Sequence, residues 1–81
     1  MKIEVRDSAS KDLKQIDKKT ALKLLQDIQK LKDYPSISNI KKLINHHYSH
    51  RMRLGDYRVL FDITDDIIFI GRILHRKDAY K

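Results

Sequence analysis

The side chains that could do chemistry crowd into the second half of this 81-residue chain: five of its six arginines and all four histidines fall at or after position 46. Arg51 and Arg53 alternate with other residues in His50-Arg51-Met52-Arg53-Leu54, and Arg58 follows after Gly55-Asp56-Tyr57. A guanidinium stays charged at any relevant pH and offers a planar fork that matches two phosphate oxygens. Gly55-Asp56 reads as a two-residue hairpin turn, with glycine supplying positive φ at the first position. Residues whose numbers sum to 111 then lie opposite one another, so Arg53 faces Arg58 and Arg51 faces Leu60. Like charges directly opposite on a sheet repel; such a pairing is either well solvated or in use. Arginine concentrated on strands suits phosphate binding better than solubilisation. The formal charge of +7 points the same way, to nucleic acid or an acidic protein segment.

Other chemistries find little support. Cysteine is absent, which removes disulfides and thiolate metal sites. His46 and His47 are adjacent, His50 is three further on, and no acidic residue stands at helical spacing beside them, so no metal is expected. There is no Ser-His-Asp grouping, glycine-rich phosphate loop or isolated carboxylate pair, and no cofactor is expected. Asp56, Asp65 and Asp66 read as turn residues. Tyr57 reads as a core residue. Tyr80 sits in a basic tail that is ordered only if something holds it, which leaves a frayed end and a functional ring both open.

The elements that must position these residues follow from patterning. Ile3 and Val5 alternate with Lys2, Glu4 and Arg6, as in a short half-buried strand. Asp7, Ser8 and Ser10 are of the types that cap helices, and Ala9, Leu13 and Ile16 recur at helical spacing. Ala21, Leu24, Leu25, Ile28 and Leu31 form a second apolar stripe. With Asp17 as a cap this gives a helical hairpin; one bent helix is the alternative. The run ends before Pro35, whose predecessor is pushed out of helical geometry. Ile40 to Ile44 suits a short strand. Farther on, Tyr48, His50, Met52 and Leu54 point one way, opposite Ser49, Arg51 and Arg53. Tyr57, Val59, Phe61 and Ile63 share a face opposite Arg58, Leu60 and Asp62. Ile67 to Leu74 is nearly all apolar, as in a central buried strand. The fold class expected is α+β: an N-terminal strand, a two-helix hairpin, then a three- to four-stranded antiparallel sheet with helices on one face. The chain reads as a single domain over residues 1–81, with no signal core and no membrane span, which places it in the cytoplasm.

Two segments resemble a known family. His50-Arg51-Met52-Arg53-Leu54-Gly55-Asp56-Tyr57-Arg58-Val59-Leu60-Phe61 is similar to the hairpin of RelE-type toxins of the RelE/ParE superfamily, written Arg-x-Gly-Asp-Tyr-Arg followed by aliphatic and aromatic residues. Ile73-Leu74-His75-Arg76-Lys77-Asp78-Ala79-Tyr80 is similar to the superfamily's closing His-Arg-basic-acidic-x-Tyr. Length and element order agree, so the resemblance covers the whole chain. It implies the toxin of a type II toxin–antitoxin pair: a metal-independent endoribonuclease that enters the ribosomal A site and cuts the bound messenger. In that reaction the ribose 2′-hydroxyl attacks the adjacent phosphate, giving a 2′,3′-cyclic phosphate and a 5′-hydroxyl.

By the same resemblance, Arg58 stabilises the phosphorane charge, Arg51 is the basic residue of the preceding strand, Arg76 lies in the tail motif near the proton donor to the leaving oxygen, and Tyr80 stacks on or orients a base. Ser49 stands where strongly nucleolytic relatives carry a lysine, so His50 and His75 are the candidate acid–base residues, histidine being the type that titrates nearest neutral pH. Lys41, Lys42, Arg53 and Lys77 are candidate RNA contacts. The implied partner is a cognate antitoxin encoded by the adjacent gene, with an acidic or amphipathic segment that covers the basic face and occludes the tail bearing Arg76 and Tyr80. Two other readings stay open. One is a ParE-like toxin that poisons DNA gyrase, against which the full His-Arg…Tyr tail argues. The other is a catalytically weak toxin that acts with its antitoxin in operon repression.

Overall fold

The computed structural model describes residues 1–34 and 36–79. Pro35, expected to end the helical run, and Tyr80, the expected base-stacking residue, lie outside the described residues. The chain forms β1 (Lys2–Val5), α1 (Asp7–Lys14), α2 (Lys18–Ile28), a 3₁₀ turn (Gln29–Asp33), β2 (Ile40–Lys42), β3 (His50–Leu54), β4 (Tyr57–Thr64), β5 (Ile67–His75) and the short α3 (Arg76–Ala79). This is the expected α+β order, with a helical hairpin rather than one bent helix. Four strands follow the helices and pair antiparallel, while β1 adds a fifth, so that the sheet runs β1-β5-β4-β3-β2. β1 lies parallel to β5, with Ile3 beside Ile68 and Val5 beside Ile70.

The helices begin where polar side chains satisfy their first amides. The Asp17 carboxylate accepts the Thr20 N–H at 3.0 Å and caps α2; that bond is the leading reason its acidity is strengthened, its pKa lying below the ordinary aspartate value. α1 does not use the expected serines in this way. Its first turn includes Asp7, Ser8 and Ser10, and the Ser8 hydroxyl donates instead to the Gly71 carbonyl of β5. Together the helices bury Ala9, Leu24, Ile28 and Leu31 against Met52, Val59, Phe61, Ile68, Ile70 and Ile73. All six sheet residues lie on one side, where α1 and α2 pack; neither of these helices packs on the opposite, helix-free side.

Both hairpin turns have two residues. Gly55 takes φ +58 between β3 and β4, and Asp65 takes φ 53 between β4 and β5. The first turn sets the anticipated register, Arg53 beside Arg58 and Arg51 beside Leu60. β5 departs from the uniform strand its apolar run suggests. Phe61 pairs with Ile70 but Leu60 pairs with Arg72, so Gly71 is an extra residue in a β-bulge. Ile70 and Ile73 are both buried in the core, which turns Gly71 and Arg72 together toward the helix-free face.

Candidate functional site

Cross-strand pairing decides which cations share a face. Lys41 pairs with Arg51, and Arg53 with Arg58. Their neighbours His50, Met52, Tyr57 and Val59 alternate onto the helix side. Lys41, Arg51, Arg53 and Arg58 therefore stand on the helix-free face, around Leu60. Lys41 and Arg53 are exposed and Arg51 half-buried. Arg58 is only 5 % exposed. Its Nη1 donates to the carbonyls of Gly55 at 2.8 Å and Tyr57 at 3.0 Å, so the turn that sets the register also orients the guanidinium. Burying a cation is costly unless acceptors surround it, and here the hairpin supplies two.

Arg76 and Lys77 begin α3, at the end of the sheet beside the β3–β4 turn. The Arg76 N–H donates to the Asp56 carbonyl at 2.7 Å, and its Nε lies 3.8 Å from the Asp56 carboxylate. Asp56, read from sequence as a turn residue alone, also ties the tail to the hairpin. The Lys77 N–H donates to His75 Nδ1 at 3.2 Å.

Three sequence candidates lie elsewhere. His50 pairs with Phe61, stacks on its ring at 5.3 Å and 16°, and is buried on the helix side. Its Nδ1 is 2.8 Å from the Ser49 hydroxyl and its Nε2 3.4 Å from the Tyr34 hydroxyl. Burial, aided by the Lys42 charge and opposed by Asp62, pushes its pKa below the ordinary histidine value. This is a neutral core histidine, away from the arginine face. Lys42 pairs with His50 and falls on the same wrong side. His75 pairs with Tyr57 and meets its ring edge-on at 5.4 Å, again opposite Arg58. The alternation along β3 separates His50 from Arg51.

Two further features shape this face. Asp12 on α1 accepts Arg72 Nε at 2.8 Å, Arg72 Nη2 at 3.0 Å and the Ile73 N–H at 2.9 Å. One carboxylate thus holds a guanidinium and seals the edge of β5 beyond the end of β1, and it keeps Arg72 still more firmly protonated than a free arginine. The second is Tyr48, expected on the face of His50. β3 begins only at His50, and the Tyr48 ring crosses to Gly71, where an added Cβ would overlap its Cε1. An isolated glycine inside a strand pattern signals a bulge or a close approach; Gly71 is both. Among the described residues, no three His, Asp or Glu side chains gather where a metal would bind.

A family model described as the ParE toxin of the type II toxin–antitoxin system parDE matches residues 3–80. The chain belongs to the RelE/ParE superfamily of type II toxins. It is 30% identical to Toxin RelE3 of Methanocaldococcus jannaschii over 99% of this chain and 96% of that one. Its fold matches the RelB–RelE antitoxin–toxin complex from Methanococcus jannaschii with a TM-score of 0.74 at 27% identity, covering 95% of this chain and 94% of that chain. The toxin–antitoxin complex RelBE2 from Mycobacterium tuberculosis matches with a TM-score of 0.78 at 22% identity, covering 93% and 96%. The sheet and helices are therefore the fold of RelE toxins, and the family match spans both the hairpin and the tail.

Proposed function

We propose that this toxin is a ribosome-dependent messenger endoribonuclease whose helix-free face grips the scissile phosphodiester. The observation that supports this most is Arg58, nearly buried and aimed by the Gly55 and Tyr57 carbonyls on the face that also carries Arg51, Arg53 and Lys41. Attack of the 2′-hydroxyl builds negative charge on the phosphate oxygens, and a guanidinium fixed before that charge appears stabilises the transition state without reorganising. Arg51 and Arg58 take this role. Arg76, anchored to Asp56 at the rim, stands by the leaving 5′-oxygen. Arg53, Lys41 and Lys77 neutralise flanking phosphates. Tyr80 stacks on a base by resemblance alone. His50 faces the core side and His75 is turned away as well, so neither exchanges protons in this scheme, and Lys42, on the same side as His50, makes no contact with the RNA backbone. The 2′-hydroxyl proton passes to solvent water, and the departing 5′-oxygen takes a proton from water beside Arg76. The reaction requires a 2′-hydroxyl, so the substrate is RNA.

The partner we infer is a cognate antitoxin whose acidic, amphipathic segment covers the cations. A groove of about 880 Å³ between α2 and the β3–β4 turn suits such a segment: Leu22, 53% exposed, sits there between Lys19 and Lys23. One observation favours a second reading. The matching family model carries the ParE name, which keeps gyrase poisoning in play. Mapping RNA 5′ ends after induction separates the two. Codon-phased cuts bearing 5′-hydroxyls, abolished by a folded Arg58→Ala variant, support the ribonuclease. An SOS response with intact messenger overturns it in favour of the gyrase toxin.

A further inference from the structure

We propose that the loop between β2 and β3, residues 43–49, is a nucleobase-stacking platform in which the His46 and His47 rings, held on Tyr48, take a base beside the phosphate gripped by the arginine face. This rests on the ribonuclease reading and adds a base-binding site to it.

The loop is closed at its root, where the Leu43 N–H donates to the Ser49 carbonyl at 2.9 Å. It does not project away from the sheet. The Tyr48 ring fills the space left by the missing Cβ of Gly71, and the bulge has turned Gly71 and Arg72 to the helix-free side. The loop is thereby drawn over the face that carries Arg51 and Arg58. His47 meets the Tyr48 ring edge-on, 4.9 Å away at 89°. His46 lies 6.3 Å from that ring, and its Nδ1 accepts the Tyr48 N–H at 3.0 Å. Both histidines are exposed, so each ring is pinned by a neighbour yet open to solvent. Ile44 beside them is 87% exposed.

Solubility does not call for this arrangement, which displays three consecutive rings and an isoleucine. Single-stranded RNA does call for it: unstacked bases dock on aromatic side chains, histidine included, next to a cationic track for the backbone. Rings already ordered by mutual contacts cost little to immobilise on binding. The segment Leu43 to His50 contains no acidic residue to repel phosphate. A protein partner covering the loop is the competing occupant, and the test below scores it separately.

His47 is the residue to change, because Tyr48→Ala would uncover Gly71 and His46→Ala would release a backbone bond. The probe is a short single-stranded RNA carrying 2-aminopurine, titrated against the purified toxin. Wild type quenches the fluorophore on binding. His47→Ala loses the quench and binds about tenfold more weakly, whereas His47→Phe keeps both, and cleavage sites mapped in cells lose their base preference only in His47→Ala. The platform is overturned if wild type binds without quenching. It is overturned equally if His47→Ala matches wild type in quench, affinity and cleavage pattern, or if that variant loses only antitoxin binding. Failure of the wild type to cut RNA in cells would instead remove the ribonuclease reading, since the quench is read without cleavage.

Discussion

Arg53 and Arg58 face each other across β3 and β4, and their repulsion separates stability from function. Arg53 is exposed. Arg53→Ala should therefore stabilise the fold slightly, by roughly a few tenths of a kcal/mol, seen as a raised urea midpoint, while weakening RNA binding; a variant that loses both would mean that Arg53 is structural. This pairing was legible because a two-residue turn fixes parity, and parity sends every second residue to the same face. The same parity sends His50 to the side opposite Arg51, where its burial rules out the acid–base role that its residue type suggested. Its burial fixes a pH dependence. A histidine whose pKa is lowered by folding binds fewer protons in the native state than in the unfolded chain. Stability should then fall as pH drops below the ordinary histidine value, until the folded-state value is passed. Denaturant midpoints measured from pH 8 to pH 5 should show this decline, and His50→Phe, which keeps a ring against Phe61, should flatten it.

At the scale of elements, Asp12 does the work of a missing strand. β1 ends at Val5, and beyond it the edge of β5 is satisfied by α1: Ser8 on the Gly71 carbonyl, Asp12 on the Ile73 amide and Arg72. Asp12→Ala should cost about 2 kcal/mol, because it strands a partly buried amide and a guanidinium together. Asp12→Asn should cost roughly half as much, since its carbonyl oxygen still accepts from Ile73. Equal losses in the two variants, by chemical denaturation, would show that the charge pair with Arg72 dominates. None of this was readable from the helix stripe, because Asp12 on its own is an ordinary polar residue of an amphipathic helix. Asp17 was readable, because an N-cap is a local signal. The bulge at Gly71 fell between. Its glycine stands out inside an apolar run, yet only the pairing of Phe61 with Ile70 and Leu60 with Arg72 reveals the extra residue.

At the scale of the molecule, the charge of +7 and the sidedness of the sheet act together. If Lys41, Arg51, Arg53 and Arg58 each neutralise one phosphate of a single strand, affinity should fall about fiftyfold between roughly 50 and 200 mM salt. A log–log slope near zero would dissociate this face from RNA. Element order and fold class were legible because hydrophobic periodicity is local. The strand order was not, because no residue near Lys2–Val5 announces that its partner is Ile67–Ile70.

That pairing has a consequence for synthesis. β1 is made before its mate β5, and Ile3 and Ala9 join Ile68 and Ile70 in the core only once β5 has followed. A nascent chain halted before β5 lacks the strand on which Tyr57, Phe61 and α1 all lean. Premature termination should yield no half-built toxin with a working arginine hairpin, only an open-edged fragment fit for proteolysis, and the cell is exposed to the finished weapon or to none.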